Sequence, residues 1–132
     1  ASAARQISRI KQGLQAPQLE VGDIDVSRDF LDVGDVISAY FALLEKGQPG
    51  QVYNICSGRE QSIRSLIEQL ADLAEVELQL VQDPARMRRA DQRRVCGSHA
   101  KLATATGWAP DITTQQSLRA ILSDWEKRVR QE

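Results

Sequence analysis

A chain of 132 residues has room for one domain, since a domain of this size buries roughly two-thirds of the surface that its unfolded chain exposes. Seventeen Lys and Arg side chains against eighteen Asp and Glu give a net charge of −1, which excludes the broad basic field that holds nucleic acid. No run approaches the ~20 consecutive apolar residues of a membrane-spanning helix, and Cys56 and Cys96 stand in no zinc-ligand spacing.

In residues 2–14, Ala4, Ile7, Ile10 and Leu14 recur at a helical period, with Gly13 and Pro17 to end the helix. Weak alternation around Gly22 in residues 19–26 predicts short strands. Residues 33–46 place Val33, Val36, Ile37, Tyr40, Phe41 and Leu44 on one helical face, with Asp32 or Asp35 as capping groups at the start and Lys46-Gly47 at the end. A turn at residues 47–50 leads into residues 51–56, whose Val52, Tyr53 and Ile55 predict a mostly buried strand. Ser62 then caps a helix that turns Ile63, Leu66, Ile67, Leu70 and Leu73 inward, and the strict alternation of residues 76–82 predicts a half-buried strand. Periodicity fails from 83 to 97, a loop. Ser98 caps a short helix stopped by Gly107, and Thr113 or Thr114 opens a last helix with Leu118, Ile121, Leu122, Trp125 and Val129 in one stripe. The order is mixed α/β with too few strands for a full doubly wound sheet.

The chemistry concentrates in the loop. Arg86, Arg88, Arg89, Arg93 and Arg94 put five guanidinium groups within nine residues, either a solvated face or an anion site. Arg28 admits two readings as well: an ion pair with an Asp that pins its own loop, or a phosphate contact that grips a diphosphate together with the arginine loop. Asp91, three residues after Arg88, suits a ribose hydroxyl. There is no Gly-x-Gly-x-x-Gly turn to cradle a dinucleotide and no Tyr-x-x-x-Lys pair, because Tyr40 is followed at the fourth place by Leu44 and Tyr53 by Ser57. His99, the only histidine, has no Ser/Asp or Cys partner in a recognisable arrangement and reads as a surface or capping residue. Trp108 and Trp125 read as core.

Four phrases stand in a distinctive order: Ser27-Arg28-Asp29-Phe30, Val33-Gly34-Asp35-Val36, Val52-Tyr53-Asn54-Ile55-Cys56-Ser57-Gly58 and Thr106-Gly107-Trp108-Ala109-Pro110. In that order and spacing the chain resembles the C-terminal half of the extended short-chain dehydrogenase/reductase family. The stretches Val21-Gly22-Asp23-Ile24-Asp25-Val26 and Asp83-Pro84-Ala85-Arg86-Met87-Arg88-Arg89-Ala90-Asp91 are similar to those of its members that act on GDP-mannose derivatives, the GDP-4-keto-6-deoxy-sugar reductases in particular. The resemblance implies that residues 1–132 are one nucleotide-sugar-binding portion, with a late strand of a Rossmann-like sheet, and that a dinucleotide-binding N-terminal half carrying the catalytic Tyr and Lys is absent from this chain.

By the same resemblance the parent takes NAD(P)H and a GDP-linked 4-keto-6-deoxy sugar, gives GDP-D-rhamnose and forms a homodimer. Arg28 matches the arginine on the diphosphate, Arg88 its partner from the second loop and Asp91 the acid near the ribose, while Met87 and Arg89 line the pocket. This chain alone is expected to bind no cofactor and to be inactive, and neither nucleic acid nor membrane is an expected partner. The cytoplasm is the expected compartment, since the chain carries no targeting segment, and no disulfide is expected there. Two alternatives stay open: a fragment of a GDP-mannose 4,6-dehydratase or another nucleotide-sugar epimerase or dehydratase, and a non-catalytic nucleotide-binding module.

Overall fold

The computed structural model describes residues 2–87 and 92–131. Helix α1 spans Ser2–Lys11 and buries Ala4, Ile7 and Ser8, with Arg9 and Lys11 in the last turn, where positive charge favours the helix dipole. It stops short of Leu14, which is exposed, because Gly13 takes a left-handed φ of 71° and turns the chain back. Strand β1, Gln18–Val21, then buries Leu19 and Val21 and exposes Gln18 and Glu20, as a strand with one covered face must.

The remaining elements are β2 (Ser27–Asp29), α2 (Val33–Lys46), β3 (Glu60–Ser62), α3 (Ile63–Ala74), β4 (Gln79–Gln82), α4 (Ala100–Thr106) and α5 (Thr114–Val129), with a 3-10 turn at Pro84–Arg86. Two small sheets result. Strand β1 pairs in parallel with β4, Gln18 opposite Gln79, and β2 pairs antiparallel with β3, Ser27 opposite Ser62. Helices α1, α3 and α5 cover the inner face of the parallel pair, where Ile7, Leu19, Ile67, Leu70, Leu118 and Leu122 form the main core. Burying each such side chain contributes about 1.5–3 kcal/mol. Sequence cues set the helix starts: the Ser62 hydroxyl accepts from Ser65 N, and Thr113 forms a reciprocal capping box with Gln116.

A second cluster joins α2 and α4 through Ala39, Leu102 and Trp108. The Trp108 indole N–H donates to the Ser38 hydroxyl at 2.9 Å. Only one of the two expected capping carboxylates caps. Asp32 accepts from Gly34 N at 2.8 Å, whereas Asp35 is 2% exposed and accepts the amides of Asp111 and Ile112, both at 3.0 Å, fastening the segment after α4 onto α2.

Residues 51–57 depart from expectation: among the described residues they have no strand partner, and β3 follows at Glu60–Ser62 instead. Their side chains still alternate, with Tyr53 and Ile55 packed on the second cluster and Val52 and Asn54 exposed. Strand periodicity reports a half-buried row; pairing requires a neighbouring backbone, which the described residues do not supply here. Beside them α2 leaves Val33, Ile37, Tyr40, Phe41 and Leu44 exposed along one stripe, from 48% for Ile37 to 82% for Leu44. Among the described residues no helix is long and apolar enough to cross a membrane.

Candidate functional site

Strand β2 brings the two arginine segments together. The Ser27 amide donates to the Arg93 carbonyl at 2.9 Å, and the Val95 amide donates to the Ser27 carbonyl at 3.2 Å, so the returning end of the 83–97 loop lies along β2. Arg28, half-buried on that strand, donates to the carbonyls of Ser27 at 2.7 Å and Arg93 at 3.5 Å. Its partners there are backbone oxygens rather than the carboxylate of the pinned-loop reading.

Next to it Asp29 is a hub that local pattern reading misses. One carboxylate oxygen accepts the Ser57 amide at 2.7 Å and the Ser57 hydroxyl at 2.6 Å, and the other accepts the amides of Gly58 at 2.9 Å and Gly97 at 3.2 Å. Gly58 holds φ at 73°, a conformation that a side chain would strain, and so presents its amide. One carboxylate thus joins the Ser27-Arg28-Asp29 phrase to the Ser57-Gly58 phrase. Burial pushes the Asp29 carboxyl up, but the hydrogen bonds from Ser57, Gly97 and Gly58 outweigh it and hold the group below the usual carboxylate range.

The arginine loop divides. Arg86 pairs with Glu20 at 3.0 Å and Asp83 at 3.2 Å, Arg93 with Asp23 at 3.2 Å, and Arg94 meets both oxygens of Glu60 at 2.7 Å. These three side chains are clamps, neither free for an anion nor merely solvated. Met87 follows the 3-10 turn and is 46% exposed. Arg88, Arg89 and Asp91 lie outside the described residues.

Between α1, β1, β4 and the 3-10 turn runs an open cavity of about 570 Å³, lined by Arg5, Gln6, Arg9, Gln18, Glu20 and Arg86 among others. It offers hydrogen-bond donors and acceptors of both signs beside the loop.

Neither cysteine supplies a ready nucleophile. Burial, then the Asp29 charge, pushes the Cys56 thiol up; burial, then the charges of Asp29 and Glu60, does the same to Cys96, so neither is a ready thiolate. His99 stands edge-on to Trp108 at 5.4 Å. It occupies the N-cap position of α4 without a capping bond, while the Ser98 hydroxyl accepts from Ala100 N at 3.4 Å. No group of three or more metal-ligating side chains gathers among the described residues.

Three of the described helix starts do not fit a dinucleotide either. Its diphosphate needs an open helix start and a glycine-rich turn. Here the start of α2 holds Asp32 with Asp35 in the first turn, and the starts of α3 and α5 are closed by Ser62 and by Thr113 with Gln116.

A family profile described as GDP-mannose 4,6 dehydratase matches residues 2–121. The chain belongs to this family. Within the wider set of relatives, it is 74% identical over all 132 residues to the GDP-6-deoxy-D-mannose reductase of Pseudomonas aeruginosa, covering 100% of this chain and 43% of that protein. The solved structure of RMD from Pseudomonas aeruginosa complexed with NADPH superposes with a TM-score of 0.91 at 72% identity, over 96% of this chain and 41% of that one. The UDP-glucose 4-epimerase of Thermotoga maritima with UDP-glucose gives 0.78 at 25% identity, over 100% and 40%. The chain therefore has the α/β fold of the extended short-chain dehydrogenase/reductases and spans less than half the length of the relatives it matches.

Proposed function

We propose that this chain is the substrate-binding part of an NAD(P)H-dependent reductase that converts GDP-4-keto-6-deoxy-D-mannose to GDP-D-rhamnose. The observation that carries the reading is the 74% identity to the Pseudomonas aeruginosa reductase along the whole chain. Its NADPH-complexed structural neighbour supports the same cofactor for the full-length protein.

In this reading the cofactor supplies a hydride and is held by the dinucleotide-binding half that the resemblance places upstream. The residues of this chain bind and orient. Arg28, half-buried on β2 against the loop's returning end, and Arg88 contact the diphosphate; Asp91 accepts from the ribose, and Met87 and Arg89 line the pocket. Guanidinium forks suit phosphate oxygens, and a carboxylate selects a nucleoside over a bare sugar phosphate. The apolar stripe of α2 beside residues 51–57 supports a part of a larger enzyme over a free-standing binding module, since exposed patches of this kind mark surfaces that another body covers. The full-length protein is proposed to be a homodimer in the cytoplasm.

The family description favours one alternative, a GDP-mannose 4,6-dehydratase. A dehydratase turns GDP-mannose over with no net consumption of NADPH, whereas the reductase consumes one NADPH per ketosugar, so the two are told apart by stoichiometry.

Arg28→Ala in the full-length protein should weaken GDP by about 1.5–3 kcal/mol, the worth of a charged hydrogen bond. Arg28→Lys should recover part of that loss, because an ammonium reproduces the charge and not the fork. Calorimetric titration that finds GDP bound equally well by wild type and Arg28→Ala would remove Arg28 from the site.

A further inference from the structure

The two described ends of the 83–97 segment are seated on separate strands, residues 83–86 on the end of β1 and residues 93–95 on β2. At the first seat the Asp83 amide donates to the Val21 carbonyl at 2.9 Å, and the Arg86 backbone then crosses directly over Gly22. A Cβ at Gly22 would overlap the Arg86 carbonyl oxygen and stand 3.1 Å from its carbon, so no other residue admits this approach without moving backbone. Above it the Arg86 guanidinium spans Glu20 and Asp83. At the second seat Arg93 pairs with Asp23, one residue past Gly22, Arg94 with Glu60, and the backbone of 93–95 bonds to Ser27 beside Arg28.

We infer that Gly22, with the Glu20–Arg86 pair, is a positioning element for nucleotide recognition: it sets where Met87 stands relative to Arg28. This rests on the reading above, in which the loop and Arg28 share one diphosphate. The exposed ion pairs alone contribute little to stability, each side chain of Glu20–Arg86 being about half exposed. Their effect is geometric, since a displacement of about 1 Å in a positioning group can cost up to a hundredfold in binding or rate.

The test uses the full-length protein and GDP as the probe, with three variants: Gly22→Ala, Glu20→Arg, and Glu20→Arg combined with Arg86→Glu. Gly22→Ala should raise the Kd for GDP, and the KM for the GDP-linked ketosugar, roughly ten- to hundredfold while kcat changes less and the KM for NADPH holds. Glu20→Arg should weaken GDP several-fold, and the reversed pair should regain part of the loss, because a carboxylate at position 86 restores the pair with position 20 but is repelled by Asp83. GDP bound as tightly by Gly22→Ala as by wild type would overturn the inference, and so would a rise in the NADPH KM that keeps step with the loss. If Gly22→Ala does not fold, the charge pair decides: no loss in the single variant, or no recovery in the double, overturns the inference. Wild type that fails to bind GDP would sink the proposed function and this inference with it. Wild type that binds, weakens on Arg28→Ala and ignores both changes at the seat would sink this inference only.

Discussion

The 132-residue chain by itself should show no reduction of GDP-4-keto-6-deoxy-mannose above the NADPH blank, and no saturable NADPH binding. Reduction of a ketone needs a hydride donor held against the carbonyl and an acid for the alkoxide, and a positioned acid alone accounts for about 10²–10⁴ in rate. Both tyrosines lack the lysine four residues on, both thiols are held protonated, and His99 lies against Trp108. The starts of α2, α3 and α5 are closed to a diphosphate by their own caps. Fluorescence titration with NADPH and a coupled absorbance assay would check this; turnover by the chain alone would contradict it.

Asp29→Ala should destabilise the chain by about 2–4 kcal/mol, since four donors from Ser57, Gly58 and Gly97 lose one acceptor group and water replaces it only where the site is open. Three segments that are distant in sequence would lose their common tie. Urea unfolding followed by tryptophan fluorescence reads this well, because Trp108 is 7% exposed. The pH dependence has a definite sign. The carboxyl is held below its ordinary value in the folded chain, so its contribution is complete above the unfolded value and is lost as pH falls through the lowered folded one. Asp29→Asn should keep part of the neutral-pH stability and drop this component of the acid response. Identical acid profiles for wild type and Asp29→Asn, over about pH 2–5, would show that the carboxylate charge contributes nothing.

The helices were legible because their signals are local. Asp32, Ser62 and Thr113 act within three residues of the amides they cap, and Gly107 ends α4 with a left-handed φ of 76°. Residues 51–57 show the limit of a local signal: Tyr53 and Ile55 alternate with Val52 and Asn54 as a strand does, but a ladder depends on a second backbone, which the described residues do not supply. Asp35 looked like a cap and is a buried acceptor for a loop 76 residues away.

The site was legible in its residue types and not in its wiring. Five clustered arginines suggest an anion site, yet beyond the local Asp83 the acids that engage Arg86, Arg93 and Arg94 lie 66, 70 and 34 residues off in Glu20, Asp23 and Glu60, and only the fold brings these in. The same holds for Asp29 and the Ser57-Gly58 turn, 28 residues apart. The backbone pairing of Ser27 with 93–95 accounts for the place of Arg28 beside the loop.

The most direct measurement is the turnover of the full-length protein with GDP-4-keto-6-deoxy-mannose and NADPH, followed by absorbance and by identification of the sugar. The account predicts one NADPH consumed per ketosugar and GDP-D-rhamnose as the product, with no activity on GDP-mannose. A full-length protein inert toward every GDP-linked ketosugar, or one that dehydrates GDP-mannose without consuming NADPH, would contradict it.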